Sequence, residues 1–254
     1  MDRTKFSTIA HRDHLFANPL GEAKVDHLLG LLDLEAGAPV LDVGCGNAEL
    51  LIRLIKRFDI IGVGVDPNGA MLDRARERAA GLVIAGRLIL HERTIDGFVP
   101  EQPLAAALCV GSSHAYGGYA ETLSALSRIV RPGGLIMVGE GYWKRDPDPG
   151  YLELLGATPD ELTSHAGNVE RARSLGLTPL YSAVSSDDDW DHYEGLYCRA
   201  MQRYLAANPD DPDGAEFAAH SSRWYDGYLR WGRDTLGFGL YLFRVAGEPV
   251  AGGR

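Results

Sequence analysis

The stretch VLDVGCGNAEL, Val40 to Leu50, decides the fold. It opens apolar, places an acid at Asp42, bends through Gly44 and Gly46, and runs into the helical pattern Glu49 to Ile55. A strand, a tight turn and a helix start are therefore contiguous. Glycines in such a turn let backbone approach a ligand closely, and the geometry predicts free N–H groups pointing at it.

Outward from this turn the chain alternates strand and helix. Gly21 to Leu34 reads as an amphipathic helix with Val25, Leu28, Leu29 and Leu32 on one stripe. A helix over 48–58 is predicted to bury Leu50, Leu51, Leu54 and Ile55. Ile60 to Val65 is a β-branched apolar run of the kind buried on both faces of a parallel sheet, and it ends at Asp66. Pro67-Asn68 opens the next helix through Met71, Leu72 and Ala75. Strands are predicted at 87–91, 104–110 and 135–139, with a helix at 119–130 stopped by Arg131-Pro132-Gly133-Gly134. Short connections between alternating elements predict a doubly wound, mostly parallel α/β sheet.

Residues 1–20 read as polar and irregular, and the terminal EPVAGGR as frayed. After Trp143 the pattern loosens, then resumes with a sixth strand at 178–185. Two helices follow, one carrying Trp190, Tyr193, Tyr197 and Met201, the other Trp224, Tyr228 and Trp231 at helical spacing. Gly237 to Val245 is a last strand. This organisation divides into an N-terminal segment and helix over 1–36, a cofactor-binding core over 37–185, a helical insertion over 186–236 and a final strand and tail over 237–254.

The chain has 254 residues and a formal net charge of −10. An acidic protein repels phosphate backbones, so nucleic acid is a disfavoured partner. Three cysteines, Cys45, Cys109 and Cys198, form no CxxC motif and no Cys/His cluster, which argues against disulfides and against a metal site. With no apolar leader and no apolar run of about 18 residues, a cytoplasmic protein without membrane spans is expected, acting as monomer or homodimer.

Two cofactor classes use a strand–glycine turn–helix unit. Nicotinamide and flavin enzymes need a third small residue, in G-x-G-x-x-G/A, for close packing around a pyrophosphate. Here that position is Glu49, whose size and charge suit a pyrophosphate badly. The pattern present is Asp42-x-Gly44-x-Gly46-x-Ala48. An acid at the strand tip repels phosphate and suits a ligand end bearing an ammonium. Asp66, at the next strand tip, can accept hydrogen bonds from two ribose hydroxyls. A nucleoside with an amino-acid tail in place of phosphates satisfies both acids.

On VLDVGCGNAEL, IIGVGVD and RPGGLIMVGE, in that order, the chain resembles the class I S-adenosylmethionine-dependent methyltransferases over about 40–143. Within them, HRDHLFANP, CVGSSHAYGG and GEGYW resemble a branch of largely uncharacterised bacterial members. The resemblance implies a seven-stranded Rossmann-like sheet, with the helical insertion between its last two strands. It implies S-adenosyl-L-methionine as methyl donor and S-adenosyl-L-homocysteine as product. It places Gly44, Cys45 and Gly46 against the methionine tail, with Asp42 facing the ammonium. Asp66 holds the ribose, Pro67 and Met71 flank the adenine, and Gly111 and Ser112 border the sulfonium. Thr94 and Ile95 stand where the family reads the adenine amine, although His91 to Asp96 is no clean match. Ala48 replaces the family's third glycine.

Ligands of such sheets bind at the carboxyl ends of the strands, which directs attention to Glu140, Tyr142 and Trp143. The insertion and the N-terminal segment are expected to form a lid there. His114, Glu140, His14 and His11 are the candidate general bases for an acceptor that must lose a proton. Each has a plainer reading: an exposed loop histidine, a helix-capping acid, or surface histidines. The two aromatic stripes read first as packing between the insertion helices and second as substrate contact. Cys45 reads as a small filler, and Asp187 to Asp189 as a helix cap and solvated face. A methyltransferase acting on a small molecule is the leading reading. The alternatives are a non-catalytic cofactor-binding sensor or subunit and a nicotinamide-dependent oxidoreductase.

Overall fold

A computed structural model describes residues 3–247; the expected fraying of 248–254 lies outside them. The strands are β1 (Pro39–Val43), β2 (Ile61–Asp66), β3 (Leu88–Glu92), β4 (Leu104–Val110), β5 (Val130–Trp143), β6 (Thr178–Val184) and β7 (Leu236–Arg244). They form one seven-stranded sheet in the order β3-β2-β1-β4-β5-β7-β6. β1 pairs in parallel with β2 and β4, β2 with β3, and β4 with β5. β7 runs against β5. The Gly133 amide donates to the Val245 carbonyl at 3.1 Å and the Val245 amide to the Gly134 carbonyl at 2.9 Å, while the Lys144 amide donates to the Thr235 carbonyl at 2.8 Å. The start of one strand thus meets the end of the other. The sheet is mixed and doubly wound, as the alternation of elements predicts.

The helices are α1 (Arg3–Ala10), α2 (Glu22–Gly30), α3 (Glu49–Phe58), α4 (Gly69–Ala79), α5 (Tyr119–Ile129), α6 (Pro149–Leu155), α7 (His165–Ser174), α8 (Asp187–Ala207) and α9 (Gly214–Gly227). A π-helical turn, Tyr228–Gly232, follows α9. α8 and α9 lie between the last two strands, as expected. No described helix is long and apolar enough to cross a membrane.

The chain separates into two compact units. One comprises Glu22–Glu140, Ala166–Ala183 and Gly239–Arg254 and holds most of the sheet; the other comprises Met1–Gly21, Gly141–His165 and Val184–Phe238. These boundaries differ from the sequence division: α2 belongs with the sheet, and 141–165 with the helical unit.

In the sheet unit the core is built by β4, all of whose residues are buried, with Leu41 and Val43 of β1, Leu123 and Leu126 of α5, and Tyr241 and Phe243 of β7. Covering both faces with helices is what allows such continuous apolar strands. α3 buries Leu51, Ile52, Leu54 and Ile55. Leu50, predicted on that face, is only half-buried, and Ile52 takes its place. Leu51, Ile52, Leu54 and Ile55 recur at the i, i+3, i+4 spacing of one helix face.

Two further expectations are corrected. The RPGG stop lies inside β5, where the ladder to β4 jumps from Leu104↔Val130 to Ala106↔Leu135. The excursion is accommodated as an irregularity of the strand because Gly133 and Gly134 find partners at Val245. At its other end β5 continues through Tyr142 and Trp143 instead of stopping at Glu140, since the Trp143 amide donates to the Thr163 carbonyl at 2.9 Å.

In the helical unit, residues 3–10 form α1 where sequence predicted irregular chain. Phe6 and Ala10, one turn apart, are buried with Tyr197 and Met201 of α8 and Phe217 of α9. The Phe6 ring centroid lies 5.2 Å from that of Phe217 and 5.9 Å from that of Tyr197. Lys5 bridges Asp211 at 2.7 Å and Asp213 at 3.1 Å. Tertiary packing, which no local pattern announces, makes this helix. The N-cap of α8 is Ser186, in a capping box with Asp189; the three aspartates occupy its first turn.

Candidate active site

The sheet order reverses direction at β1, which has β2 and β3 on one side and β4 on the other. Such a switch point opens a crevice beyond the strand ends. The turn Gly44 to Asn47 leaves β1 there. Asp66 ends β2, and Gly111 and Ser112 follow β4.

Gly44 has φ +69°, and a Cβ on it would lie 2.1 Å from Ser112 Oγ. Both the left-handed backbone and the close approach demand glycine. A Cβ on Gly46, φ +53°, would lie 3.5 Å from Met71 Cε. Gly44, Gly46, Met71 and Ser112 are therefore brought together. Ala48 adopts φ 55°, so the residue in the family's third-glycine position keeps the left-handed conformation although it carries a Cβ.

The expectation of free amides in the turn is overturned. Gly44 N–H donates to the Val65 carbonyl at 2.8 Å and Cys45 N–H to the same oxygen at 3.3 Å. Gly46 N–H donates to Asp66 Oδ2 at 2.9 Å. A phosphate cradle needs unspent donors; this turn spends them on β2. What it offers instead is close backbone approach rimmed by carboxylates, which suits an ammonium.

Asp42 is 2% exposed on β1. Burial first, and the charge of Asp66 second, push its carboxyl up to about 8. A cation arriving beside it would release the proton and stabilise the carboxylate. Asp66 is half-buried; its Oδ2 accepts from Gly46 and its Oδ1 from the Asn68 amide at 2.8 Å. Each carboxylate oxygen carries two lone-pair sites, so both retain capacity for a further donor. Asn68 caps α4, its side chain accepting from the Met71 amide at 3.3 Å, which fixes Met71 beside the turn. Pro67 is exposed and Met71 half-buried.

Cys45 is buried, and burial pushes its thiol far above the ordinary range. Its Sγ would be 2.7 Å from a Cβ on Gly64. It fills space beneath the turn. Gly111 N–H donates to the Gly139 carbonyl at 2.9 Å, tying the β4 end to β5 beside Glu140. Thr94 is exposed, whereas Ile95 is packed into the sheet core. His114 is exposed on the short 3₁₀ turn Ser113–Tyr116, and Glu140 is half-buried near the end of the parallel part of β5.

His14 lies in the helical unit, 6% exposed. Its Nε2 is 2.9 Å from the Tyr193 carbonyl; a carbonyl only accepts, so Nε2 carries the proton. Burial pulls this imidazole below its usual range. His11 is half-buried and stacked on Tyr193 at 5.8 Å. Sequence reasoning missed two further residues of the sheet unit. Glu92 pairs in register with Asp66, and a Cβ on Gly69 would lie 2.7 Å from Glu92 Oε1. The Tyr119 hydroxyl is buried without a hydrogen-bond partner among the described residues, and the Glu140 charge is among the influences raising its pKa. Register across β2 and β3 was the available signal for Glu92; Tyr119 had none.

Comparison with known proteins bears on this geometry. The family described as a methyltransferase domain matches residues 40–134, the turn and the β1 to β5 region around it. The chain is 30% identical over 244 residues to the uncharacterized protein YjhP of Escherichia coli K12, covering 95% of this chain and 98% of that one. A crystal structure of a SAM-dependent methyltransferase from Geobacter sulfurreducens, in complex with S-adenosyl-L-homocysteine, superposes with a TM-score of 0.89 at 31% identity, covering 94% of this chain and 97% of that one.

The chain belongs to the S-adenosylmethionine-dependent methyltransferases.

This methyltransferase also shares 28% identity over 203 residues with the 27-O-demethylrifamycin SV methyltransferase of Amycolatopsis mediterranei, 72% of each chain. Membership explains why Glu49 is tolerated where a dinucleotide enzyme needs a small residue. Glu49 accepts from Arg53 Nε at 2.7 Å and from Arg78 Nε at 3.1 Å. It is 7% exposed and clamps α3 to α4.

Proposed function

We propose that this methyltransferase moves a methyl group from S-adenosyl-L-methionine to a small-molecule acceptor by in-line displacement. The observation that carries the reading is the pair of acids, Asp42 and Asp66, at adjacent strand tips around a glycine turn whose amides are already spent. Bound there, the cofactor supplies an electrophilic methyl on a sulfonium.

The chain's own groups then have distinct tasks. Asp66 accepts from the ribose hydroxyls with its remaining lone pairs. Asp42, ionised by the neighbouring ammonium, fixes the methionine end. Gly44, Cys45 and Gly46 give close backbone approach. Pro67 and Met71 flank the adenine, Thr94 and Ile95 stand near its amine, and Gly111 and Ser112 border the sulfonium. Much of the rate comes from positioning, which is worth up to about 7–11 kcal/mol in well-oriented systems. Glu140 or His114 takes the proton when the acceptor carries one.

Two facts support a small acceptor. The net charge of −10 disfavours nucleic acid, and a relative covered over 72% of its length is named for a small natural product. The test is incubation with methyl-labelled cofactor and a dialysable metabolite fraction. Label is expected in a small organic product. Label only in macromolecules would overturn the acceptor class. Cofactor binding with no transfer to any fraction would favour a sensor or non-catalytic subunit.

A further inference from the structure

A cavity of about 180 Å³ lies wholly within the helical unit. Its walls include Tyr151 of α6, Trp190, Tyr193 and Glu194 of α8, Trp224 of α9 and Tyr228 of the π-helical turn. It is smaller than the roughly 300–1,000 Å³ of drug-sized pockets, so it takes a small ligand or one end of a larger one.

Its chemistry is unusual for simple packing. Glu194 is 2% exposed. Its only hydrogen bond among the described residues comes from Trp224 Nε1, to Oε2 at 2.9 Å, and no described lysine, arginine or histidine pairs with it. Burial disfavours an uncompensated carboxylate and here pushes it up to about 7. Around it stand aromatic faces: Trp190 and Tyr228 stack at 6.3 Å and 22°, and Trp190 meets Tyr193 edge-on at 6.3 Å and 89°. Trp190 Nε1, on a side chain 7% exposed, is buried without a hydrogen-bond partner among the described residues. Aromatic faces around a desolvated carboxylate attract a cation, most strongly when water is excluded. The unspent indole N–H is left for an acceptor oxygen.

We propose that this cavity is a binding site for an alkylammonium group on a small molecule that also carries an oxygen acceptor, with Glu194 as its counter-ion and Trp190, Tyr193, Trp224 and Tyr228 as its cage. The aromatic stripes are then more than helix–helix packing. The ligand supplies the charge that Glu194 lacks. Binding itself needs no methyl donor.

Choline and its neutral isostere 3,3-dimethylbutan-1-ol distinguish charge from shape. Each is titrated into the full chain, without cofactor, and followed by tryptophan fluorescence and calorimetry. Saturable choline binding is expected, with the isostere at least about tenfold weaker. Glu194→Gln should weaken choline by a similar factor while leaving S-adenosylhomocysteine binding unchanged, which also reports that the variant is folded. Trp190→Leu is the second variant should Glu194→Gln fail to fold, with the same expected loss. Equal binding of the isostere, undiminished choline binding in the folded variant, or no saturable choline binding at millimolar concentration overturns the site. None of these results bears on methyl transfer, so the two readings fail separately.

Discussion

The Gly46 amide donates to the Asp66 carboxylate at 2.9 Å. This one bond ties the turn after β1 to the tip of β2, twenty residues on in sequence. It sets the turn's shape before any ligand arrives. It also spends an amide that the sequence pattern predicts to be free.

The close approach of Gly44 to Ser112 is testable by substitution. Gly44→Ala puts a Cβ within 2.1 Å of Ser112 Oγ at a φ of +69°. Cofactor binding should fall by about a hundredfold or more, given clash and left-handed strain of roughly 1–2 kcal/mol. Adding Ser112→Gly relieves the clash but not the strain. The double variant is expected to recover part of the loss in calorimetric titration with S-adenosylhomocysteine.

Asp42 makes a prediction of definite sign. Its pKa rises from 3.8 in the unfolded chain to about 8 in the folded protein, mainly through burial. Between those values the folded state holds a proton that the unfolded state has lost. Stability is therefore fully present at low pH and declines as pH rises to about 8. Asp42→Asn removes this penalty. At pH above about 8 the variant should be more stable than the parent by roughly 1–3 kcal/mol, a rise of about 2–4 °C per kcal/mol for a chain of this size. It should also bind S-adenosylhomocysteine about ten- to a hundredfold more weakly, having lost a charged hydrogen bond. Thermal melts across pH, paired with calorimetry, check both signs.

Glu49 should affect stability alone. Its carboxylate joins Arg53 to Arg78, and Arg53 keeps Glu22 and Asp26 when it is lost. Glu49→Ala is expected to cost about 1–3 kcal/mol, seen as a lower denaturant midpoint, with the S-adenosylhomocysteine Kd unchanged. A weakened Kd would place Glu49 in the cofactor's surroundings.

Much of this fold is legible in the residues. β1 and β4 fall where the apolar runs predict them, and Asn68 opens α4, because strand burial and capping are local signals. α1 is not legible: Phe6 and Ala10 make sense only against Tyr197 and Phe217, two hundred residues away in the chain. The extension of β5 through Trp143 depends on a partner at Thr163. The carboxylates of the site were readable as residues at strand tips. The spent amides were not, since their acceptors sit on β2. Glu194 escaped notice for a related reason. An acid in a helical stripe looks solvated until its neighbours are known to be Trp190, Trp224 and Tyr228.

Titration of the purified protein with S-adenosylhomocysteine tests the central assignment most directly. Saturable one-to-one binding is expected, and Asp66→Ala, which removes the ribose acceptor and the anchor of Gly46 together, should weaken it about tenfold or more. No saturable heat at millimolar ligand, or full-strength binding in the Asp66→Ala variant, would contradict the account.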